Sequence, residues 1–397
     1  AIYNWLRARR HGGAFILRID DTDVERNRDE AVKVILEGLR WCGLQWDEGP
    51  IYQSSRMERY KAAADRLVAA GRAYWAKDSE TLRRWREARE MRGLKGGGAE
   101  APDRTAEAGE ALFFKVFPDK PEDSSFDDLV KGKMTKAALD ILPEFVILRA
   151  GGAPVYNFTT VVDDIELGIT HVIRGDDHVE NTHKHIALFK ALDAAPPAFA
   201  HLPMIHNDKG EKLSKRRDPV AVTQFESMGL LPEALANFLS LLGWSPGENV
   251  EILPLAEMAK VFDLKRVKSA AARFDLKKLH WMDGQYIKAL PLPELAARLV
   301  AFMAKEGVSV LDDLVPRIED IIRLFQPRLS TLLDFYHKRT PAAGELAPPP
   351  PAQARMFCEE NPAPDATAAA SLAKPGVREA LAAVAGIFES AATLDHA

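Results

Sequence analysis

The chain has 397 residues, of which 47% are hydrophobic and 28% are charged, so it can form folded cores and is not a disordered protein. Its 53 Lys and Arg against 58 Asp and Glu give a formal net charge of -5, which excludes binding to polyanions through net charge alone but leaves room for local basic patches. Two distant cysteines, Cys42 and Cys358, exclude a disulfide framework and favour a reducing, cytoplasmic location, and no apolar run approaches the roughly 20 residues that span a bilayer.

The first part of the chain alternates helix and strand patterns. Apolar spacing predicts the helices, Gly12-Gly13 and Gly71 are typical helix stops, and Ser55 to Glu58 has the pattern of a capping box. The predicted elements are a helix over 1–11, a strand over 14–19, a helix over 29–42, a helix after residue 55, a charged helix over 78–93, and strands over 112–117 and 145–148.

The second part resumes this alternation, which predicts a parallel, doubly wound sheet. Strands are predicted over 156–162, 171–174 and 201–206, with a helix capped by Asn181 and Thr182 that ends at Ala191. From Pro232 onward the patterns are helical with little strand signal, and the proline-rich segment 341–351 favours a stiff linker.

A short cationic segment follows the last predicted strand. A mobile loop of this kind can fold over a polyphosphate and stabilise the charge of a departing pyrophosphate. The alternative is a solvated surface turn, the usual interpretation of a basic loop. The cations are Lys209, Lys212, Lys215, Arg216 and Arg217.

Acidic residues follow the first predicted strand, at Asp20, Asp21 and Asp23. Ligands bind beyond the carboxyl ends of strands in open α/β sheets, so these acids are candidates for holding an ammonium group or organising cations. Standing alone, they would favour a helix N-cap with solvated acids.

A second strand end brings Arg174 together with Asp176 and Asp177. An arginine there can bind a carboxylate through two hydrogen bonds, and the aspartates can accept bonds from ribose hydroxyls or an amine. The alternative for Arg174 is a structural ion pair with one of these aspartates. Tyr156 could equally be an ordinary core tyrosine.

Four histidines, at 171, 178, 183 and 185, do not predict a zinc site, because no cysteine lies near them and His183 and His185 do not share a helix face.

Six segments in order resemble the bacterial-type glutamyl-tRNA synthetases, a family of class I aminoacyl-tRNA synthetases. The resemblance runs from residue 1 to about residue 340. Lys212-Leu-Ser-Lys-Arg216 is similar to the KMSKS loop of that class, and Leu17-Arg-Ile-Asp-Asp-Thr-Asp23 to the family's LRIEDTD motif. The other segments are 39–50, 154–164, 172–178 and 274–287.

The resemblance implies a Rossmann-like doubly wound parallel sheet with an α+β insertion, followed by an all-helical anticodon-binding region. The implied divisions are the two halves of the catalytic domain at 1–74 and 151–232, an insertion for the tRNA acceptor end at 75–150, a helical stem-contact and anticodon-binding region at 233–340, and a linker with a partial C-terminal subdomain at 341–397.

The implied activity is ligation of L-glutamate to tRNA(Glu) with ATP and Mg2+, by a monomer in the cytoplasm. Lys212 and Lys215 would be catalytic, and Arg328 would contact RNA. ATP would be bound by Lys212, Leu213, Ser214, Lys215, Asp177 and His178, and glutamate by Asp20, Tyr156, Thr160 and Arg174.

The chain also departs from the family pattern. The HIGH motif is absent, so we expect the sequence to begin just after the first strand, to lack the end of the anticodon domain, and not to form glutamyl-adenylate as it stands. Asp20 is one methylene shorter than the usual glutamate. The cysteine ligands of some relatives are replaced by Trp75-Ala-Lys77, so no zinc is expected.

Competing interpretations stay open. The chain could charge glutamine, although the helical pattern after Pro232 argues against the β-barrels of eukaryote-like glutaminyl enzymes. A non-catalytic tRNA-binding paralogue would not need the intact KLSKR segment, and a shorter tRNA-modifying relative would lack residues 250–397. A dinucleotide-binding oxidoreductase would need a G-x-G-x-x-G motif after a strand.

Overall fold

A computed structural model describes residues 1–22, 29–92, 109–207, 209–213, 221–247, 250–307 and 318–335. The chain divides into two compact units. Unit 1 comprises Ala1–Thr223 and Leu235–Leu276, and unit 2 comprises Gln224–Ala234 and Lys277–Ala397. Within the described ranges, no helix combines the length and the apolar character needed to cross a membrane.

The elements of the first part include every helix and strand predicted there, and they add four strands that were not predicted, over 48–52, 73–76, 124–128 and 132–136. They are α1 (Ile2–His11), β1 (Ile16–Ile19), α2 (Asp29–Trp41), β2 (Glu48–Tyr52), α3 (Met57–Ala69), β3 (Ala73–Ala76), α4 (Glu80–Met91), β4 (Ala111–Lys115), β5 (Ser124–Asp128), β6 (Gly132–Lys136) and β7 (Glu144–Leu148).

The later elements continue the alternation up to residue 206 and, in the described part of the chain, are helical from Pro232 onward apart from one two-residue strand, as predicted. They are α5 (Tyr156–Glu166), β8 (His171–Gly175), α6 (Val179–Ala191), β9 (Ala198–Leu202), β10 (Ile205–His206), α7 (Val222–Ser227), α8 (Pro232–Ser240), α9 (Leu255–Val261), β11 (Ala272–Arg273), α10 (Leu276–Ala289), α11 (Leu292–Lys305) and α12 (Ile318–Phe325).

Parallel strand pairs build part of unit 1. β1 pairs with β2, β8 with β9, and β10 with β11, all in parallel. The inserted strands are antiparallel, in the order β3-β4-β7, and the β5–β6 hairpin joins the main sheet in the order β6-β5-β9-β8. The predicted α/β fold with an α+β insertion and a helical C-terminal region is therefore confirmed.

The β1–β2 pair depends on one glycine. Gly49 has a positive φ of 106°, and a Cβ there would lie 2.3 Å from the carbonyl oxygen of Leu17. Any larger residue would push β2 away from β1, which carries the first acidic segment.

Two apolar cores hold unit 1 together. One core packs α3, α5 and α6 against the insertion sheet, and its fully buried members include Tyr60, Leu67 and Phe158. The other surrounds α1 and α9 and includes Leu6 and Met258. In α1 and α3, apolar residues at helical spacing place one stripe of the helix against its neighbours.

Unit 2 has a core of its own, formed by α10, α11, α12 and the turn after α12. Leu295, Leu299 and Met303 recur every four residues on α11 and are completely buried. Gly229 packs directly against this core: its φ is 74°, and a Cβ would lie 2.5 Å from the backbone nitrogen of Leu333.

The predicted strand over 156–162 is wrong, because this segment is the first part of helix α5. The helix is buried on nearly every side between residues 157 and 164. A helix without an exposed face has no apolar stripe whose spacing would distinguish it from a buried strand, and residues 159–162 are all β-branched, as is typical of strands. The preceding residue, Val155, is extended, and the helix begins directly after it.

Smaller predictions also need correction. Ser55 does not cap α3; its hydroxyl donates to the carbonyl of Tyr52, and the helix begins at Met57. Helix α6 begins at Val179, so Asn181 and Thr182 lie inside it. The strand predicted over 201–206 is divided into β9 and β10.

Candidate functional site

Arg18, in strand β1, connects acidic residues from two segments. Its Nε donates to Asp20 Oδ1 at 2.8 Å, and its Nη1 donates to Asp164 Oδ1 at 2.9 Å. The acids that follow β1 are therefore not simply solvated: Asp20 is paired, and Asp21 accepts bonds from the backbone and hydroxyl of Ser54. Sequence reasoning missed Arg18, although a charged residue inside an apolar strand was a visible signal.

Helix α5 is anchored through a buried carboxylate. Asp163 accepts bonds from Arg56 Nε at 2.7 Å, Gln53 Nε2 at 2.8 Å and the Tyr60 hydroxyl at 3.0 Å. Its neighbour Asp164 is also buried, and burial raises the pKa of Asp164 to about 6 despite the attraction of Arg18. These contacts fix α5 against α3 and β1.

The other end of α5 presents the predicted substrate residues. Tyr156 and Thr160 are one helical turn apart, about 6 Å rather than the roughly 13 Å that a strand would give. Tyr156 is 37% exposed, and its ring lies 5.8 Å from that of His178. Thr160 is buried, and its hydroxyl has no hydrogen-bond partner among the described residues, so a ligand bond there would satisfy it.

Asn157, beside Tyr156, is fixed by a buried histidine. His185 Nε2 lies 2.9 Å from Asn157 Oδ1, and burial holds the pKa of His185 well below its usual value. His185 therefore stays neutral and donates to the amide oxygen, which holds the first turn of α5 in place.

Arg174 lies at the end of β8 and is held by three acceptors. Its Nε donates to His201 Nε2 at 3.2 Å, and its Nη2 donates to Thr182 Oγ1 at 2.8 Å and to the carbonyl of His178 at 3.2 Å. Burial lowers the pKa of Arg174, but arginine stays charged at neutral pH. The result is an oriented guanidinium.

The alternative interpretation of Arg174 as an aspartate's ion-pair partner is wrong for the part of the chain that the structure describes. Asp176 accepts instead from Lys131 Nζ at 2.7 Å, and no ion pair of the described residues joins Arg174 to Asp176 or Asp177. Neither aspartate therefore neutralises the Arg174 guanidinium through an ion pair.

The electrostatic surroundings of Tyr156 show that these segments meet. Burial raises the pKa of the Tyr156 hydroxyl, Arg174 and Arg18 lower it, and Asp20 raises it. Charged residues at the ends of β1 and β8 therefore influence the same hydroxyl, that of Tyr156 at the start of α5. This is expected where parallel strands end at the same edge of a sheet.

The predicted nucleotide residues lie on two segments. Asp177 and His178 form a turn after β8, and burial lowers the pKa of His178. Lys212 is exposed and lies opposite His206 in an antiparallel bridge. Ser214 and Lys215 lie outside the described residues, as do Asp23, Arg216 and Arg217.

Arg328 is exposed, in a 3₁₀ turn of unit 2. Trp75, where some relatives carry a cysteine, is 46% exposed in β3. Among the described residues, no group of three His, Cys, Asp or Glu side chains is arranged to hold a metal ion.

The fold and the site identify the class of protein. Residues 1–281 match the family model described as tRNA synthetases class I (E and Q), catalytic domain. The chain belongs to this family of class I aminoacyl-tRNA synthetases, which comprises the enzymes for glutamate (E) and glutamine (Q).

The similar proteins are more specific. A glutamate–tRNA ligase of Synechococcus sp. (strain JA-3-3Ab) is 42% identical over 98% of this chain and 81% of its own length. One from Aromatoleum aromaticum is 44% identical over 84% of this chain and 72% of its own length. The structure of a glutamate tRNA ligase from Elizabethkingia meningosepticum, in complex with its amino acid, has a TM-score of 0.76 at 27% identity and covers 98% of this chain and 82% of that one.

Proposed function

We propose that this protein is a glutamate–tRNA ligase. It activates L-glutamate with ATP to form glutamyl-adenylate and transfers the glutamyl group to the 3′ end of tRNA(Glu), releasing AMP and pyrophosphate. The observation that carries the proposal is the oriented guanidinium of Arg174 at the end of β8, beside Tyr156. Membership of the synthetase family restricts the ligand to an amino acid, and a cation in the pocket favours an acidic side chain.

The glutamate pocket uses four residues with different chemistry. Arg174 binds the side-chain carboxylate, and Asp20 receives the α-ammonium group. Tyr156 supplies a hydroxyl at the mouth of the pocket, and Thr160 supplies a second hydroxyl from the next turn of α5. The charges are complementary to those of glutamate, because a cation faces its carboxylate and an anion faces its ammonium group.

ATP lies across the turn after β8 and the loop after β10. Asp177 and His178 contact the nucleotide, and the segment from Lys212 through Leu213 and Ser214 to Lys215 covers the phosphates. Mg2+ would enter with ATP, held mainly by phosphate oxygens and water, the ligands this ion prefers, and would offset the negative charge of the phosphates.

No protein nucleophile is needed. The glutamate carboxylate attacks the α-phosphorus of ATP, the bond to the β-phosphate oxygen breaks, and pyrophosphate leaves. Lys212 and Lys215 stabilise the charge that develops on the leaving group, which is catalysis by positioning and electrostatics. The terminal ribose hydroxyl of tRNA then attacks the glutamyl carbonyl carbon, and AMP leaves.

The domains divide the remaining work. The catalytic domain comprises 1–74 and 151–232. The insertion at 75–150, which lies between these two halves in the sequence, receives the acceptor end of tRNA. The helical region at 233–340, with Arg328 as an RNA contact, and the partial subdomain at 341–397 read the stem and anticodon. The protein acts as a monomer in the cytoplasm.

ATP–pyrophosphate exchange tests the proposal. The full-length protein is assayed with glutamate or glutamine, each with and without tRNA. We expect exchange with glutamate only. Exchange with glutamine alone would establish the glutaminyl alternative, and exchange with neither amino acid would refute a synthetase function.

A Lys215→Ala variant separates catalysis from RNA binding. Lysines that stabilise a leaving pyrophosphate act in the transition state, so exchange should fall at least 100-fold, a loss typical of an electrostatic catalytic contact. The Kd for tRNA, measured by filter binding, should change less than about threefold. Lys190→Ala, which removes an exposed charge from α6, is the matched control. Equal losses of exchange and tRNA affinity would favour the non-catalytic paralogue.

A further inference from the structure

A completely buried histidine–aspartate pair lies behind the guanidinium of Arg174. His201, in the middle of the sheet on β9, places its Nδ1 2.6 Å from Oδ2 of Asp128, the last residue of β5. Both residues are inaccessible to solvent or nearly so. Burying such a pair is costly unless every polar atom has a partner.

Asp128 is satisfied from several directions. Its Oδ1 accepts the backbone N–H groups of Val130 at 2.9 Å and Lys131 at 2.8 Å, and the backbone N–H of His201 reaches its Oδ2 at 3.1 Å. Burial alone would raise the pKa of Asp128, but these bonds and the one from the His201 ring hold it below its usual value. The carboxylate therefore stays ionised.

An ionised carboxylate at Nδ1 fixes the tautomer of His201. The proton lies on Nδ1, and Nε2 presents a lone pair on the opposite side of the ring. That lone pair faces Arg174 Nε at 3.2 Å and Thr182 Oγ1 at 3.0 Å. Thr182 in turn accepts from Arg174 Nη2 at 2.8 Å. His201 and Thr182 therefore clamp one edge of the guanidinium.

We propose that His201 is a positioning residue for glutamate recognition, and that its Nε2, fixed by Asp128, holds Arg174 in the orientation that pairs with the substrate's side-chain carboxylate. The inference rests on the proposed glutamate-binding role of Arg174. A similar arrangement occurs at metal sites, where a carboxylate hydrogen-bonds to one ring nitrogen of a histidine and thereby orients the other nitrogen toward the metal. Here Asp128 orients His201, and His201 orients Arg174.

Two substitutions separate this role from simple packing. His201→Asn keeps an amide donor at the position of Nδ1, opposite Asp128, but removes the acceptor that faces Arg174. His201→Gln reaches the position of Nε2 and restores an acceptor there. Positioning predicts that the asparagine variant loses glutamate recognition and that the glutamine variant regains most of it.

Steady-state exchange kinetics provide the first measurement. We expect His201→Asn to raise the KM for glutamate about 10- to 100-fold, the usual effect of losing a hydrogen bond to a charged group, with the KM for ATP within about twofold of wild type. In His201→Gln, the KM for glutamate should stay within about fivefold of wild type. A larger defect in His201→Gln, or equal rises in both KM values, would show that His201 serves only the fold.

The second measurement does not depend on activity. The Nε–H of Arg174 gives an arginine side-chain signal in 15N-resolved NMR, assigned by its loss in Arg174→Lys. We expect slow solvent exchange in the wild type and His201→Gln, and fast exchange in His201→Asn. Unchanged protection in His201→Asn would overturn the inference. A full-length wild-type protein with this protection but no glutamate-dependent exchange would instead refute the proposed function.

Discussion

Arg18 determines where the carboxylate of Asp20 lies. Its guanidinium donates to Asp20 at 2.8 Å and to Asp164 at 2.9 Å, so residues 144 positions apart share one cation. Aspartate is one methylene shorter than the glutamate that resembling sequences usually carry here. The bond from Arg18 fixes this shorter side chain at the end of β1, where the proposed function places the substrate ammonium group.

Asp164 should make stability depend on pH. Burial raises the pKa of Asp164 from its ordinary value of 3.8 to about 6 in the folded protein, so folding favours the protonated form. This contribution is fully present below about pH 4 and is lost as pH rises through 6. Asparagine does not titrate, so the wild type should lose about 2 to 3 kcal/mol relative to Asp164→Asn between pH 4 and 7.

Urea unfolding at pH 4, 5, 6 and 7 measures this difference. Asp127→Asn, which removes a carboxylate at an exposed position on β5, is the matched control. A constant difference between Asp164→Asn and wild type at all four pH values would contradict the prediction.

At the scale of single elements, the loop before Lys212 is organised by one side chain. Asn207 Oδ1 accepts the backbone N–H groups of Lys209 at 3.1 Å and Glu211 at 2.9 Å. The backbone N–H of Asn207 donates to the carbonyl of Glu211 at 2.8 Å, which closes the turn. Asn207 thereby sets the path of the chain as it enters the cationic segment.

Asn207→Ala should therefore impair catalysis more than stability. Loss of both side-chain bonds leaves the loop less ordered, so the exchange rate should fall about 10-fold, while the free energy of unfolding changes by less than about 1 kcal/mol. Asn207→Asp keeps the acceptor oxygens and should retain most of the rate. Equal losses in the two variants would show that Asn207 does not act through these bonds.

Elements with one exposed face could be predicted from the sequence, and those without one could not. α1 and α4 show clear helical periodicity and lie where it predicted them. Helix α5 is buried on nearly all sides, so its pattern indicated a strand. The β5–β6 hairpin was not predicted because the segment 124–128 is mostly polar. Asp128 is the last residue of β5. Because this strand was not predicted, the contact of Asp128 with His201 could not be predicted either.

Site residues divide in the same way. Tyr156 and Arg174 were recognised because they lie within local motifs that resemble a known family. Arg18, Asp128 and His201 act through contacts between distant segments: 146 positions separate Arg18 from Asp164, and 73 separate Asp128 from His201. No local pattern encodes such pairs, because they are created only when the strands are assembled into a sheet.

At the scale of the whole molecule, each unit has its own apolar core. Leu67 is completely buried in the core around α3 and α5 of unit 1, and Leu299 is completely buried in the core of unit 2. Chains with separate cores commonly unfold in more than one transition. We therefore expect two transitions in chemical denaturation, one for each unit.

Leu67→Ala and Leu299→Ala test this expectation. Each should cost about 2 to 5 kcal/mol in its own unit, because a cavity replaces a packed leucine side chain, and should leave the other transition unchanged. Trp281 is the only tryptophan of unit 2, and the other six lie in unit 1. Fluorescence of a Trp281→Phe background therefore reports unit 1 alone, and far-ultraviolet circular dichroism reports both. If both leucine variants shift a single shared transition, the two cores unfold as one cooperative system, and stability lost in the helical unit would also lower the population of folded catalytic sites.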